Sequence, residues 1–218
     1  MKNGPENSGS PFSLEEWREK KFNPEVIKLF ERQEQGDPNV ETVGMDDGRI
    51  IEVMADDKDE KILWTYGLGG CYGTLVFTEG KDGRRNAALT HYDATRISEN
   101  MAKIRELLGS SEAMKGAATK QMVVVMGSGE WVQDPKTKRY KLKPAPDSQK
   151  DIDAIILAIQ TELGEDIQVH FEPYDTNALS GEKDRGVMIV TIPPHDKGDA
   201  RYRTWFSGGK LGWRGSLR

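Results

Sequence analysis

The sequence predicts an α+β fold in which a mixed β-sheet or β-sandwich core is flanked by helices. Several short runs of apolar residues are bounded by Gly, Asn and Asp, which is typical of strands. Residues 122–126 form a continuous apolar run, as in a central strand buried on both faces. Two later segments, which begin near residues 93 and 148, repeat apolar residues at helical spacing.

Composition limits the class of protein. The 218 residues suit one domain, and a net charge of -5 disfavours nucleic acid as a partner. No segment approaches the roughly 20 apolar residues of a membrane span, and the N-terminus lacks the apolar core of a signal peptide. The single cysteine, Cys71, excludes an intrachain disulfide and a cysteine-rich zinc site. We therefore expect a soluble, cytoplasmic monomer whose thiol is reduced. The polar N-terminus also leaves open secretion into a host cell by a non-classical route.

The ends of the chain are expected to lie outside the main core. Residues 1–12 are polar and are predicted to be disordered, and residues 13–218 to form a single domain. Within that domain, residues 13–36 are predicted to be a helical cover, since Ser13 and Glu16 form a capping box. Residues 193–218 lack periodicity and are predicted to be an irregular tail.

The first half of the chain is predicted to contain two hairpins. Residues 40–53 fit a hairpin with its turn at residues 45–48. Residues 74–77 and 86–90 are predicted to be two strands joined by a turn at residues 79–83.

In the second half, Asp93 is predicted to cap a helix that ends at Gly109, and Ser148 with Asp151 to begin another that ends at Gly164. An exposed hairpin is expected over residues 131–142, turning at residues 134–136, after a turn at residues 127–129. Residues 167–171 and 187–192 are the last predicted strands.

Cys71 and His91 are the candidate catalytic pair. Both are equally far along the chain from Lys81, which lies in the turn predicted for the hairpin. If the strands pair without slippage, the two residues face each other with their Cβ atoms about 4.5–5.5 Å apart. Such a pair suits a thiolate nucleophile and a general base, although a lone cysteine is also common as a small buried residue.

Glycines precede the thiol, at Gly67, Gly69 and Gly70. They permit a sharp bend, and backbone N–H groups near Gly69 and Gly70 are expected to face a developing oxyanion. These parts suit acyl transfer from an amide or an ester. Asp93 is a second candidate to orient His91, but capping a helix is its preferred role.

The pattern Thr65-x-x-Leu68-x-Gly70-Cys71, followed by His91, resembles the signature of the CheD chemoreceptor glutamine deamidases. It also resembles the deamidase toxins of the cytotoxic necrotizing factor and Burkholderia lethal factor type. The resemblance extends over residues 62–192 by pattern and is specific only over residues 65–91. It implies a deamidase of the same fold, in which Cys71 is the nucleophile, His91 the general base and acid, and Thr65 the residue that orients His91.

The function implied by the resemblance is conversion of glutamine to glutamate in a protein substrate, with release of ammonia through a thioester. No cofactor and no metal are implied. The alternatives are a transglutaminase, a cysteine amidase or peptidase, and a non-catalytic protein-binding module. Two departures from the CheD pattern put a chemotaxis role in doubt. Gly69 is followed by Gly70, where many CheD proteins carry Gly-Ser, and the chain has extra segments at both ends and at residues 131–142. The substrate protein is not predicted, and both a receptor-modifying and a toxin role remain open.

Overall fold

The computed structural model describes residues 24–111, 114, 118–165, 167–175, 186–205 and 212–216. The disorder expected for residues 1–12 and the capping box at Ser13 lie outside these residues. Within them, the helices are α1 (Pro24–Glu34), α2 (Ile97–Ser110) and α3 (Pro146–Leu163). The strands are β1 (Val40–Val43), β2 (Asp47–Val53), β3 (Lys61–Leu68), β4 (Cys71–Gly80), β5 (Arg85–Asp93), β6 (Ala118–Gln133), β7 (Tyr140–Pro144), β8 (Gln168–Asp175), β9 (Gly186–Ile192), β10 (Arg201–Trp205) and β11 (Gly212–Ser216).

The strands form two sheets. Sheet A has the order β1-β3-β9-β10-β11, and sheet B has the order β2-β5-β4-β6-β7, with β8 also paired to β6. The pairs β1–β3 and β6–β8 are parallel, whereas the pairs β3–β9 and β4–β5 are antiparallel. Both sheets are therefore mixed, as the sequence predicts.

Apolar side chains fill the space between the sheets and cover their outer faces. The layer between the sheets includes Leu63, Leu75, Phe77, Leu89, Val124 and Val190. Helices α2 and α3 cover the other face of sheet B, and α1 packs on the outer face of sheet A, where the Phe30 ring lies edge-on to Trp64 at 4.8 Å between centroids. The predicted α+β class, with a sandwich core flanked by helices, is confirmed.

The β4–β5 hairpin is present, but its register is two residues away from the predicted one. Glu79 pairs with Arg85, so the turn is centred on Asp82 rather than on Lys81. Consequently Cys71 faces Asp93, and His91 faces Gly73. The direct opposition of Cys71 and His91 is therefore wrong, because a shift of one residue in the turn centre moves the pairing by two.

The hairpin predicted over residues 40–53 is wrong. Strand β1 joins sheet A beside β3, whereas β2 joins sheet B beside β5, so the chain crosses between the sheets at the expected turn. Asp46 lies in the crossing with a φ of 61°, and its N–H donates to the carbonyl of His91 at 2.7 Å. Apolar residues on both strands fit two hairpin partners or two strands of separate sheets equally well, and tertiary packing selects the second.

The irregular tail predicted for residues 193–218 is corrected by strands β10 and β11. Strand β10 pairs with β9 and β11, and its Tyr202 and Thr204 side chains are buried. Arg201 and Arg203 alternate with these buried residues, so the strand carries a single large apolar side chain on its inward face. With so few apolar residues, β10 does not show the alternation of apolar and polar residues that predicts a strand.

The helix ends are partly as predicted. Asp93 caps a short 3-10 turn, Ala94–Arg96, which leads into α2, and Gly164 ends α3 with a φ of 97°. Ser148 does not begin α3, because the helix starts at Pro146 without a side-chain cap. No turn occurs at residues 127–129, which continue strand β6.

Across the described part of the chain, no helix combines the length and the apolar character that crossing a bilayer requires.

Candidate active site

Three strands bring the predicted site residues to one end of the sandwich. Cys71 is the first residue of β4, and His91 lies two residues before the end of β5. Side chains alternate between the faces of a strand, so Cys71, Gly73, His91 and Asp93 all lie on the face of sheet B that points toward sheet A. Thr65 approaches from β3 in sheet A.

Thr65 contacts His91 across the gap between the sheets. Its Oγ1 lies 2.8 Å from Nδ1 of His91 and donates to the carbonyl of Val43, also at 2.8 Å. A hydroxyl has one proton, so the Thr65 oxygen accepts from Nδ1–H. In the neutral ring the basic lone pair is then on Nε2, the nitrogen that a general base uses.

The register makes Cys71 and His91 diagonal neighbours on one face. Diagonal neighbours are about 7–8 Å apart, and their Cβ atoms are somewhat closer, a separation that a long side chain such as histidine can span. A glycine lies directly opposite the histidine, at Gly73. A Cβ at Gly73 would lie 3.1 Å from Cδ1 of Leu68, so the leucine of the glycine-rich segment packs where a side chain would stand.

The three predicted catalytic side chains are almost fully buried. Thr65 is 0% exposed, His91 2% and Cys71 5%. The glycine segment before Cys71 is the outer part, since Gly69 is exposed and Gly70 partly so. At Gly70, with a φ of +91°, a Cβ would meet no described atom within 4 Å. Open space therefore lies beside the residue that precedes the thiol.

Tyr174, on β8, is a site residue that sequence reasoning missed. Its side chain is 0% exposed, and its hydroxyl donates to the carbonyl of Cys71 at 2.6 Å. The N–H of Gly70 donates to the same hydroxyl at 2.9 Å. Burial raises the pKa of Tyr174, against the lowering effect of a hydrogen bond with Ser128, so this hydroxyl stays protonated. Tyr174 thus fixes the backbone on both sides of the Gly70–Cys71 peptide bond.

This contact corrects the predicted role of Gly70. Its N–H is directed at the Tyr174 hydroxyl rather than at a substrate oxygen. Gly69 as an oxyanion donor stays a prediction. No signal in the sequence could have identified Tyr174, because it lies 103 residues after Cys71 and beyond the strand predicted at residues 167–171.

The Asp93 carboxylate forms hydrogen bonds with Thr95, two residues later in the chain. Its Oδ1 accepts from the N–H of Thr95 at 2.8 Å and from the Thr95 hydroxyl at 2.6 Å. Both hydrogen bonds lower the pKa of Asp93, and the one from the hydroxyl has the larger effect. The geometry favours Thr65 over Asp93 as the residue that orients His91, since Thr65 holds Nδ1.

The remaining histidines lie elsewhere. His170 is a partly buried residue of β8. His195 is partly buried, and its Nε2 contacts the carbonyl of Gly83 in the β4–β5 turn, at the far end of the hairpin from Cys71. In the described ranges, no group of three or more His, Cys, Asp or Glu side chains has the arrangement of a metal site.

Comparison with known proteins finds matches among solved structures. No protein-family model matches the chain, and no curated protein matches it. Among solved structures, the C-terminal domain of CNFy from Yersinia pseudotuberculosis is similar at 9% identity and a TM-score of 0.34, over 79% of this chain and 57% of that one. Protein NMB0706 from Neisseria meningitidis is similar at 12% identity and a TM-score of 0.33, over 72% of this chain and 73% of that one.

The chain therefore spans little more than half of the CNFy chain that it matches. At these TM-scores neither likeness carries an argument about activity or about site residues.

Proposed function

We propose that the chain is a cysteine-dependent protein-glutamine deamidase, with Cys71 as nucleophile, His91 as general base and acid, and Thr65 orienting His91. The observation that carries the proposal is the buried hydrogen bond between Thr65 Oγ1 and His91 Nδ1. Thr65 stands six residues before the only cysteine, where the resemblance to the glutamine deamidases predicts a residue with this role.

In the first half of the reaction, the Cys71 thiol transfers its proton to Nε2 of His91, and the sulfur attacks the carboxamide carbon of a glutamine side chain. A C–S bond forms, and the carbonyl oxygen becomes an oxyanion. When the oxyanion collapses, the C–N bond breaks, and the nitrogen leaves as ammonia with the proton from Nε2. The product is a thioester between Cys71 and the former glutamine.

In the second half, water attacks the thioester carbon and gives a proton to Nε2. The C–S bond breaks, the sulfur leaves as a thiolate that recovers the proton, and the side chain is now a glutamate. Throughout, the Thr65 oxygen stabilises Nδ1–H and any positive charge that builds on the ring. Burial of the ring strengthens this interaction, because the local dielectric constant is lower than that of water.

The position of the glycine segment supports access from outside. Gly69 is exposed, and a Cβ at Gly70 would meet no described atom within 4 Å. A glutamine side chain is long and thin, so it suits an approach along a segment that has no side chains of its own. The exposed parts of the substrate would remain at the surface.

The test compares the wild type with Cys71→Ala and Cys71→Ser on a mixture of glutamine-containing peptides. We expect ammonia release and Gln-to-Glu mass changes from the wild type alone. Equal ammonia release from Cys71→Ala would sink the proposal. Incorporation of an added primary amine would indicate a transglutaminase instead, and chain cleavage would indicate a peptidase. A native thiol that resists iodoacetamide would favour a binding module.

A further inference from the structure

Strand β6 continues past the nucleophile into an exposed hairpin. Gly73 pairs with Met126, so the register places Cys71 level with Ser128, and β4 begins at Cys71. Beyond that level, β6 pairs with β7 from Gly129 with Pro144 to Gln133 with Tyr140. We refer to residues 129–144 as the hairpin arm. At about 3.3 Å per residue, its paired strands extend about 15 Å beyond the level of Cys71.

The hairpin arm is rich in positive charge although the chain is acidic. It carries five basic and two acidic residues, whereas the whole chain has a net charge of -5. Among the basic residues, Lys136, Arg139 and Lys143 are exposed. The two acidic residues are Glu130 and Asp134, and Oδ1 of Asp134 accepts hydrogen bonds from the turn backbone at residues 136 and 137. A positive surface therefore stands next to the candidate site.

Aromatic side chains are exposed on the same arm. Trp131 is 56% exposed and Tyr140 is 63% exposed. Trp131 pairs with Leu142, and Tyr140 pairs with Gln133, so the two aromatic residues share one face of the hairpin as diagonal neighbours. Exposed Trp and Tyr beside basic residues are typical of a surface that binds another macromolecule.

The backbone of β7 offers a further means of recognition. In the order of sheet B, β7 is the terminal strand, and its one strand partner within the described ranges is β6. The outer edge of a terminal strand can accept an extended peptide as an additional strand. A peptide bound there would run beside the side chains of the arm.

We propose that the hairpin arm binds an acidic, extended segment of a protein and so holds a neighbouring glutamine at Cys71. The role of this segment as a substrate rests on the proposed deamidase function, whereas the binding does not. The positive charge supplies complementarity to acidic side chains, and the terminal strand supplies backbone hydrogen bonds. Continuity of β6 between Ser128 and the arm places the bound segment next to the candidate site.

A polypeptide fits this surface better than a nucleic acid does. Nucleic acids are bound chiefly through many phosphate contacts, and the chain as a whole carries a net negative charge that opposes them. A short acidic peptide needs only the local charge of the arm. The backbone edge of β7 serves a peptide and has no counterpart in phosphate recognition.

The test measures binding with Cys71→Ala, so that turnover plays no part. Fluorescent peptides of one length carry a central glutamine flanked by acidic, neutral or basic residues, and fluorescence anisotropy reports binding. We expect the acidic peptide to bind at least about 10-fold more tightly than the neutral peptide, with an affinity that falls as salt is added. The combined variant Lys136→Glu, Arg139→Glu and Lys143→Glu should reverse the order and prefer the basic peptide.

A matched control carries the same change in charge elsewhere. Lys28, Lys58 and Lys81 are exposed and lie outside the hairpin arm, and changing all three to Glu should leave the preference for the acidic peptide intact. Tyr140→Ala gives a second measure that leaves the charge unchanged, with weaker binding of the acidic peptide at every salt concentration. Melting temperatures show whether each variant folds.

Three results would overturn the proposal. These are equal binding of the three peptides, an unchanged preference after charge reversal on the arm, or an oligothymidylate that binds more tightly than the acidic peptide. Failure of the deamidase proposal looks different, because acidic peptides would still bind to the arm while the wild type released no ammonia from them.

Discussion

Two parts of the molecule meet where β4 begins, and they differ in burial, charge and means of stabilisation. One is the buried cluster formed by Thr65, Cys71, His91 and Tyr174, in which every side chain is at most 5% exposed. Its members come from β3, β4, β5 and β8, and hydrogen bonds of 2.6–2.9 Å fix their positions. The other is the hairpin arm, which is local in sequence, basic and exposed.

We propose that the buried cluster carries out the chemistry and that the hairpin arm carries out recognition. Reacting groups must be held in one geometry, which packing and buried hydrogen bonds provide. A binding surface must be accessible, as the arm on the extension of β6 is. Substitutions in the buried cluster should therefore change the rate of the chemical step, whereas substitutions on the arm should change substrate affinity and its salt dependence.

The largest effect is expected from His91→Gln, which removes the proposed base from the buried cluster. Loss of a general acid and base lowers the rate by about 10²–10⁴-fold. We expect kcat for deamidation to fall by this factor with little change in KM. The measurement is steady-state ammonia release from a glutamine peptide, and a kcat near that of the wild type would remove His91 from the mechanism.

A smaller effect is expected from Thr65→Val, which keeps the shape of the side chain and removes its hydroxyl. The Val43 carbonyl and Nδ1 of His91 each lose a buried partner, and each loss costs about 1–3 kcal/mol. We expect kcat to fall by about 10–100-fold, because 1.36 kcal/mol corresponds to about a factor of ten. The pH profile of kcat should also change, which a purely structural effect would not produce.

Thr74→Val is the matched control for Thr65→Val. Thr74 is also buried in a strand, and its Oγ1 has no hydrogen-bond partner among the described residues. It lies on the opposite face of β4 from Cys71, toward the helices. We expect normal activity and equal or higher stability, and a loss of activity equal to that of Thr65→Val would show that the threonine effect is not specific to the site.

Tyr174→Phe should lower kcat by about 10-fold. This factor corresponds to about 1.4 kcal/mol, the size of one buried hydrogen bond. Without its hydroxyl, the Gly70 N–H and the Cys71 carbonyl lose their shared partner, and the start of β4 is less well fixed. The control is Tyr72→Phe, which removes a hydrogen bond to Asp151 on the helix-facing side of β4. If both variants lose stability but only Tyr174→Phe loses kcat and iodoacetamide reactivity, the tyrosine positions Cys71.

The smallest effect concerns alkaline stability. The pKa of Tyr72 is raised to about 12, chiefly because the phenol is buried. The hydrogen bond with Asp151 also raises this pKa, whereas a hydrogen bond with Ser148 lowers it. A raised pKa means that the folded state favours the neutral phenol. This contribution to stability is present below the unfolded pKa of about 10 and is lost as the pH rises through the folded value. Urea unfolding at increasing alkaline pH should show a steeper loss for the wild type than for Tyr72→Phe, whereas parallel losses would contradict this interpretation.

The features that the sequence predicted well depend on local patterns. The β4–β5 hairpin, the buried run in β6 and the glycine end of α3 each follow from neighbouring residues. The exposed hairpin at residues 131–142 was also predicted, because its turn residues Asp134 and Pro135 interrupt the strand pattern.

The features that it missed depend on contacts between distant parts of the chain. The partners of β1 and β2 are set by packing between the sheets, and the hairpin register follows from one residue in the turn. Tyr174 reaches Cys71 only because β8 pairs in parallel with β6, which then lies beside β4. No local pattern encodes such a contact.

The most direct test of the central claim is the rate at which iodoacetamide alkylates the single cysteine at neutral pH. Every alkylated protein molecule reports on Cys71, so mass spectrometry of the intact chain gives the rate without a substrate. If His91 activates the thiol, the wild type should react faster than His91→Gln by about 10-fold or more, with Thr65→Val between them. Equal rates in the three proteins would contradict the claim that His91, held by Thr65, activates Cys71.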